Sequence, residues 1–179
     1  MHATICDVII DTVQNSIEAD SSKILLKVVD DGSFFSVEIE DDGKGMNEDV
    51  LARAFNPFYT EPGKHDKRRV GLGLPILKQL CDATGGKVEF QSVKGVGTKL
   101  RYSFLKSHID LPPIGNLADT ILALFNYPGN FELVYTRIKG DSEYSISRTE
   151  LSESVGGFEN VESLSLAREF LRSQEFDCP

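Results

Sequence analysis

The chain has 179 residues and a formal net charge of −9, with 40 % hydrophobic and 26 % charged side chains. This is a normal balance for a globular protein and excludes a wholly disordered chain, a collagen or a coiled coil. No apolar run approaches the roughly 18 residues of a membrane span, and the acidic balance argues against binding to a nucleic-acid backbone or a membrane surface. The acidity lies in the tail, where residues 110–179 hold 12 acidic and 5 basic side chains. Cys6, Cys81 and Cys178 are far apart without a CxxC spacing, which reads as reduced thiols in a cytoplasmic protein. Asp7, Asp11, Glu18 and Asp20 in the opening stretch exclude a signal peptide.

Residues 3–19 predict a helix, with Ile5, Val8, Ile9, Val13 and Ile17 forming one apolar stripe. Asp7, Asp11, Asn15 and Glu18 form a separate polar line. Residues 23–30 and 34–41 predict two strands around an Asp-Asp-Gly-Ser turn. In the second, Phe35, Val37 and Ile39 alternate with polar neighbours, and Asp41 continues their inward parity. A short helix follows at about 47–54, with Asn47 as its cap.

Residues 56–70 lack periodicity and hold two prolines and the run KHDKRR, which predicts a long functional loop. Residues 72–83 predict a helix with Pro75 in its first turn, packed through Leu74, Leu77, Leu80 and Cys81 and ended by Gly85 and Gly86. Residues 87–92 and 98–105 predict a hairpin. Pro112 and Pro113 mark a stiff linker near 107–115. Beyond it, a helix is expected at 117–126, strands near 131–139 and 143–149, and a last helix at about 159–173.

Four short motifs carry chemistry. Asp11 and Asn15 lie one helical turn apart, and an amide oxygen can ligate a hard cation such as Mg²⁺ that brings a phosphate with it. Alone, the pair reads as well as a solvated helix face. Asp41-Asp42-Gly43-Lys44-Gly45-Met46 places a carboxylate at a strand end, able to accept from an exocyclic amine, beside glycines that allow close backbone approach. It could equally be a polar strand end and a turn. Gly71-Leu72-Gly73-Leu74 precedes a helix whose free N–H groups attract phosphate, but it is neither a Walker loop nor a dinucleotide fingerprint. Gly95-Val96-Gly97-Thr98, by itself, is an ordinary hairpin turn.

In this order the four motifs resemble the boxes of the ATPase family named for gyrase, the ninety-kilodalton heat-shock chaperone, histidine kinases and MutL (GHKL). Phe55-Asn56-Pro57-Phe58-Tyr59-Thr60 and Gly71-Leu72-Gly73-Leu74-Pro75-Ile76 also resemble the histidine kinase branch. The resemblance spans about residues 3–106. It implies an α+β fold, a two-layer sandwich of a mixed β-sheet with helices on one face (the Bergerat ATP-binding fold). The expected organisation is an ATP-binding domain at 1–108, a linker at 109–115 and a small C-terminal α/β appendage at 116–179.

The resemblance also implies roles. Asp41 would read the adenine amine, Gly43, Gly45 and Met46 would lie against the nucleotide, and Thr98 would sit near the base. Asn15 would hold Mg²⁺ bridging the phosphates. Gly71, Leu72 and Gly73 would anchor the lid, while Phe58 and the lid basics Lys64, Arg68 and Arg69 would meet the nucleotide. Asp11 stands where the gyrase, chaperone and mismatch-repair branches carry a Glu as general base, so slow hydrolysis is expected.

Sensor kinases bring a phosphoacceptor histidine in a helical hairpin. His2, His65 and His108 do not sit in an acidic-flanked helix, so the expectation is a cytoplasmic ATP/Mg²⁺-binding, histidine-kinase-like regulatory protein that phosphorylates or switches a protein partner in trans. Two alternatives stand beside it: a non-catalytic nucleotide sensor, and a slow ATPase of the gyrase or mismatch-repair type. A homodimer is compatible with any of them.

Overall fold

The computed structural model describes residues 3–56 and 73–176. Helix α1 (Ile5–Glu18) starts at a capping box: the Thr4 hydroxyl accepts from the Asp7 N–H, and the Asp7 carboxylate accepts from the Thr4 N–H. This satisfies donors that have no partner inside the helix. Two more are taken by a distant segment, since the Ile5 and Cys6 N–H groups donate to the Pro113 and Ile114 carbonyls, both over 2.9 Å. The apolar stripe of α1 then packs onto the hairpin of β1 (Lys23–Asp30) and β2 (Phe34–Asp41), whose buried and exposed residues alternate as their sequence pattern predicts.

Helix α2 (Glu48–Arg53) is capped by Asn47, and α3 (Gly73–Ala83) buries Leu77 and Cys81. Strands β3 (Lys87–Val93) and β4 (Gly97–Leu105) form the second hairpin. The remaining segment builds α4 (Leu117–Phe125), β5 (Glu132–Lys139), β6 (Ser142–Ser147), α5 (Arg148–Val155) and α6 (Val161–Phe176).

The six strands of the described residues lie in one mixed sheet, ordered β3-β4-β2-β1-β5-β6. Among the described residues β1 and β5 pair in parallel, and the other neighbours are antiparallel. The C-terminal segment therefore continues the sheet begun by the first hairpin. Its Leu133 and Tyr135 join Leu26, Val28 and Tyr102 in a single apolar core. Helices cover this face. The other is open, and there Lys99 pairs with Glu38 and Glu40, and Arg101 with Glu38. Exposed pairs of this kind contribute little stability. No helix among the described residues is long and apolar enough to cross a membrane.

Helix α5 corrects the expected strand to residue 149. Ser147 and Glu150 form a capping box that ends β6 and starts a helix, which closes at Gly156. Only Leu151 of this helix is buried, too little apolar periodicity to betray it in the sequence. Arg148, its first residue, turns back under the connection from α4 to β5. The guanidinium donates to the carbonyls of Phe125 (2.7 Å), Phe131 (2.8 Å) and Tyr127 (3.2 Å) and stacks over the Phe131 ring.

Candidate functional site

The sequence motifs meet where the second half of α1 crosses the ends of β2, β4 and β3. Asp41 is the last residue of β2, on the helix-facing side, and is 8 % exposed. Its Oδ2 accepts from the Ser16 hydroxyl over 2.6 Å, and its Oδ1 from the Gly43 N–H over 3.0 Å. Thr98 is its register partner on β4 and shares its parity. The Thr98 hydroxyl lies 2.9 Å from Ser92 Oγ, which also accepts from the Met46 N–H over 2.9 Å. One polar layer thus runs from α1 through β2 and β4 to β3.

Asp42 has a different task. It accepts from the Ser22 and Lys23 N–H groups (2.8 and 2.9 Å) and from the Ser22 hydroxyl. Those bonds, that from the Ser22 side chain first, hold its carboxyl below the ordinary value. Adjacent aspartates in the sequence are therefore divided by strand parity: Asp41 faces the helices, and Asp42 ties down the turn from α1 into β1.

The glycines are explained by chain meeting chain. A β-carbon on Gly45, which has φ +58°, would lie 2.0 Å from the Val93 carbonyl oxygen. One on Gly97, at φ +140°, would lie 1.9 Å from the Asp41 carbonyl oxygen. Both the conformation and the approach exclude any side chain. At Gly43 the same atom would meet Ser21 Oγ at 2.5 Å and the Ala19 carbonyl oxygen at 2.7 Å. The 43–46 loop is also sewn in by its backbone: the Lys44 N–H donates to the Ala19 carbonyl and the Gly95 N–H to that of Lys44.

Asn15 is exposed on α1, and its Nδ2 lies 4.0 Å from the place of a β-carbon on Gly73, the first residue of α3. The amide thus borders the N-terminus of α3. Asp11 is half-buried one turn earlier. Phe55 packs edge-on against Phe90 of β3, with ring centroids 5.6 Å apart. Phe58, Lys64, Arg68, Arg69, Gly71 and Leu72 lie outside the described residues.

A concavity of about 410 Å³ opens near this end of the sheet. Its lining joins Leu25, Glu40, Gln91 and Lys99 of the open face to Asp41, Ser92 and Thr98, which have the opposite parity. Sequence reasoning missed Ser16 and Ser92. Ser16 had a signal, because it interrupts the apolar stripe of α1 and follows Asn15 directly. Ser92 had none, since its value depends on the register of β3 with β4.

This sheet, with Asp41 at a strand end, glycine-dependent turns beside it and Asn15 against the next helix, defines a class of nucleotide-handling domain. The family described as histidine kinase-, DNA gyrase B- and HSP90-like ATPases matches residues 3–108, and the chain belongs to that family. It is 34 % identical over 86 residues to the sensor histidine kinase YxdK of Bacillus subtilis (strain 168), covering 48 % of this chain and 26 % of the relative. To the sensor protein KdpD of Clostridium acetobutylicum it is 38 % identical over 87 residues, 48 % of this chain and 10 % of the relative. The match therefore spans about a quarter of the length of the first and a tenth of the second. A solved N-terminal domain of a DNA repair protein shares the fold at a TM-score of 0.59 and 14 % identity, covering 91 % of this chain and 59 % of that one.

Proposed function

We propose that this chain is a cytoplasmic regulatory protein that binds ATP with Mg²⁺ and uses it to phosphorylate, or to switch, a protein partner in trans. The observation that carries the reading is the buried Asp41 carboxylate, held at the end of β2 by the Ser16 hydroxyl and the Gly43 N–H. Each carboxylate oxygen can accept more than one hydrogen bond, so Asp41 keeps capacity for an adenine amine. Thr98, opposite it in register, would stand beside the base, with Gly43, Gly45 and Met46 forming the wall along it. Gly71, Leu72 and Gly73 would lead into α3, whose N-terminal N–H groups favour phosphate. Phe58, Lys64, Arg68 and Arg69 would close over the nucleotide.

Asn15 would be the protein's ligand for Mg²⁺. That ion takes one or two ligands from protein and the rest from phosphate and water. Among the described residues no group of three His, Cys, Asp or Glu side chains forms a metal cage, and Asn15, whose Nδ2 borders the first residue of α3, carries an amide oxygen that could serve as a single ligand. Bound there, the ion would neutralise charge on the phosphates. The chain's own part would be positioning: Asp41 fixes the base, and α1 and α3 fix the phosphate end. Asp11 would orient water, and its short side chain suits slow hydrolysis. The relatives' names, both sensor kinases, support a signalling role, and the buried, unpaired Cys6 and Cys81 suit a reducing compartment.

The test is equilibrium binding of ATP with Mg²⁺, followed by γ-labelled ATP with label traced to phosphate and to protein. Binding that weakens at least tenfold in Asp41→Asn is expected, with slow phosphate release. Fast release lost in Asp11→Asn would favour the ATPase reading over the kinase one. A wild-type chain that binds no ATP would overturn both.

A further inference from the structure

Among the described residues seven large apolar side chains are exposed, and six of them fall on two surfaces. Leu25, Val93 and Val96 border the concavity of about 410 Å³ at the end of the sheet. Val161, Leu166 and Phe170 belong to α6. On the first surface, β1 presents Lys23, Leu25 and Lys27 in a row on the open face. Their register neighbours are engaged elsewhere: Glu38 with Lys99 and Arg101, and Glu132 with the Thr149 hydroxyl. Among the described residues the Lys23 and Lys27 ammonium groups have no carboxylate partner. On the second surface, Glu162, Leu166 and Glu169 stand at i, i+4 and i+7 along the outer side of α6, with Phe170 beside them, and all four are exposed. The arginines of that helix do not offset the two glutamates, because Arg168 and Arg172 pair with Asp119 of α4. The inner side of α6 joins the core through Ala167 and Leu171.

The two surfaces match in charge, in apolar content and in spacing. Lys23 and Lys27 are about 13 Å apart at about 3.3 Å per strand residue. Glu162 and Glu169 are about 10.5 Å apart at about 1.5 Å per helix residue, and the long lysine stems span the difference. A helix laid on a sheet face buries the apolar side of each. We propose that the open face of β1 docks α6 of a second copy of this chain. With Glu169 at Lys23 and Glu162 at Lys27, Leu166 covers Leu25, and Phe170 reaches the concavity beside Val93 and Val96. A chain cannot make this contact with itself, because α6 lies on the covered side of the sheet and the lysine pair on the open side. The two patches differ, so the contact is head-to-tail, and each copy keeps one surface for the next. The contact needs no nucleotide and stands whether or not the chain binds ATP.

The test is sedimentation equilibrium of the 179-residue chain, without nucleotide, over a range of concentrations. The weight-average mass is expected to rise past that of two 19.8 kDa chains. It should rise less as salt is added, because salt screens exposed carboxylate–lysine pairs. Leu25→Asp breaks one surface, and Leu166→Ala with Phe170→Ala breaks the other. Each alone should weaken association at least about tenfold. Mixed in equal amounts, the two variants keep one intact surface apiece, so they should form a pair and grow no further. All three positions are exposed, and far-UV circular dichroism checks that the variants fold. Lys23→Ala with Lys27→Ala touches no apolar side chain and should remove the salt dependence. A wild-type chain that stays single, a folded variant that associates like the wild type, or a mixture that stays single would overturn the proposal. So would a wild-type dimer that does not grow, since that requires a self-complementary contact, or salt dependence that survives in the lysine variant.

Discussion

Gly97 lies so close to Asp41 that a β-carbon on it would stand 1.9 Å from the Asp41 carbonyl oxygen. The contact joins β4 to β2 at the point where the Asp41 side chain is aimed. Neither partner can yield, because both are backbone in a paired ladder. Gly97→Ala is therefore expected to lower stability by about 3 kcal/mol or more, since strain at a special φ adds to overpacking. Gly95, two residues earlier, has φ +77° but open space around it. Gly95→Ala should cost only about 1 kcal/mol. Urea unfolding of the two variants beside the wild type checks the difference, and equal losses would refute the steric account.

The C-terminal segment ties its own strands to its last helix through charge as well as core. Arg137 of β5 is 4 % exposed. Its Nε donates to Glu175 of α6 over 3.3 Å, and its Nη1 to the Ile138 carbonyl over 2.8 Å. Glu175 also accepts from the hydroxyls of Tyr135 (2.9 Å) and Tyr144 (2.7 Å). Removing the carboxylate leaves a buried guanidinium and two phenols short of their acceptor, and breaking such a pair costs about 3–5 kcal/mol. Glu175→Ala is expected to reach about 3 kcal/mol by denaturant unfolding, since Glu175 itself is partly exposed. A loss under about 1 kcal/mol would mean that the cluster contributes little.

What the sequence reveals is what depends on local pattern. The Ile5–Val13 stripe, the alternation in β1 and β2 and the Asn47 cap each satisfy a rule within a few residues, and all are visible in the letters. The site boxes are visible for a related reason: Gly45 and Gly97 can only be glycine, so tight packing leaves a mark. Asp41 and Asp42 look alike until strand parity separates them. Pairing of β5 with β1, the carbonyls of Pro113 and Ile114 on the N-terminus of α1, and Ser92 beside Thr98 join residues far apart in the chain. Nothing local encodes them. Helix α5 was hidden because one capping box and one buried leucine replace the usual apolar stripe.

Asp30 sets a pH dependence. Burial pushes its carboxyl up, but the Lys106 ammonium at 2.7 Å, the Gly32 N–H and Arg137 outweigh it and leave it below the ordinary value of 3.8. A carboxyl lowered by folding adds stability in full above its unfolded value, and loses it as pH falls through the folded one. Asp30→Asn should therefore be less stable than wild type at pH 7, with the gap closing from about pH 5 downward. Denaturant midpoints across that range check it. A gap that stays constant to about pH 3 would show that the lost contact is not ionic.

Cys6 and Cys81 should be inert in the native chain. Burial pushes the Cys81 thiol up to about 12, and it raises that of Cys6 as well. The reactive species is the thiolate, and at pH 8 a thiol near 12 is ionised in only about one molecule in ten thousand. Cys81 is fully buried between α3 and the sheet, and Cys6 is 4 % exposed beneath the 111–115 segment, with its Sγ 3.1 Å from the place of a β-carbon on Gly115. Iodoacetamide at pH 8, read by mass spectrometry of the peptides, should leave both unmodified in buffer and modify both in concentrated urea. Labelling of Cys6 alone in buffer would locate an opening where the 111–115 segment covers the start of α1. Because that segment supplies the carbonyls for the Ile5 and Cys6 N–H groups, such an opening would also loosen the helix that carries Asp11, Asn15 and Ser16.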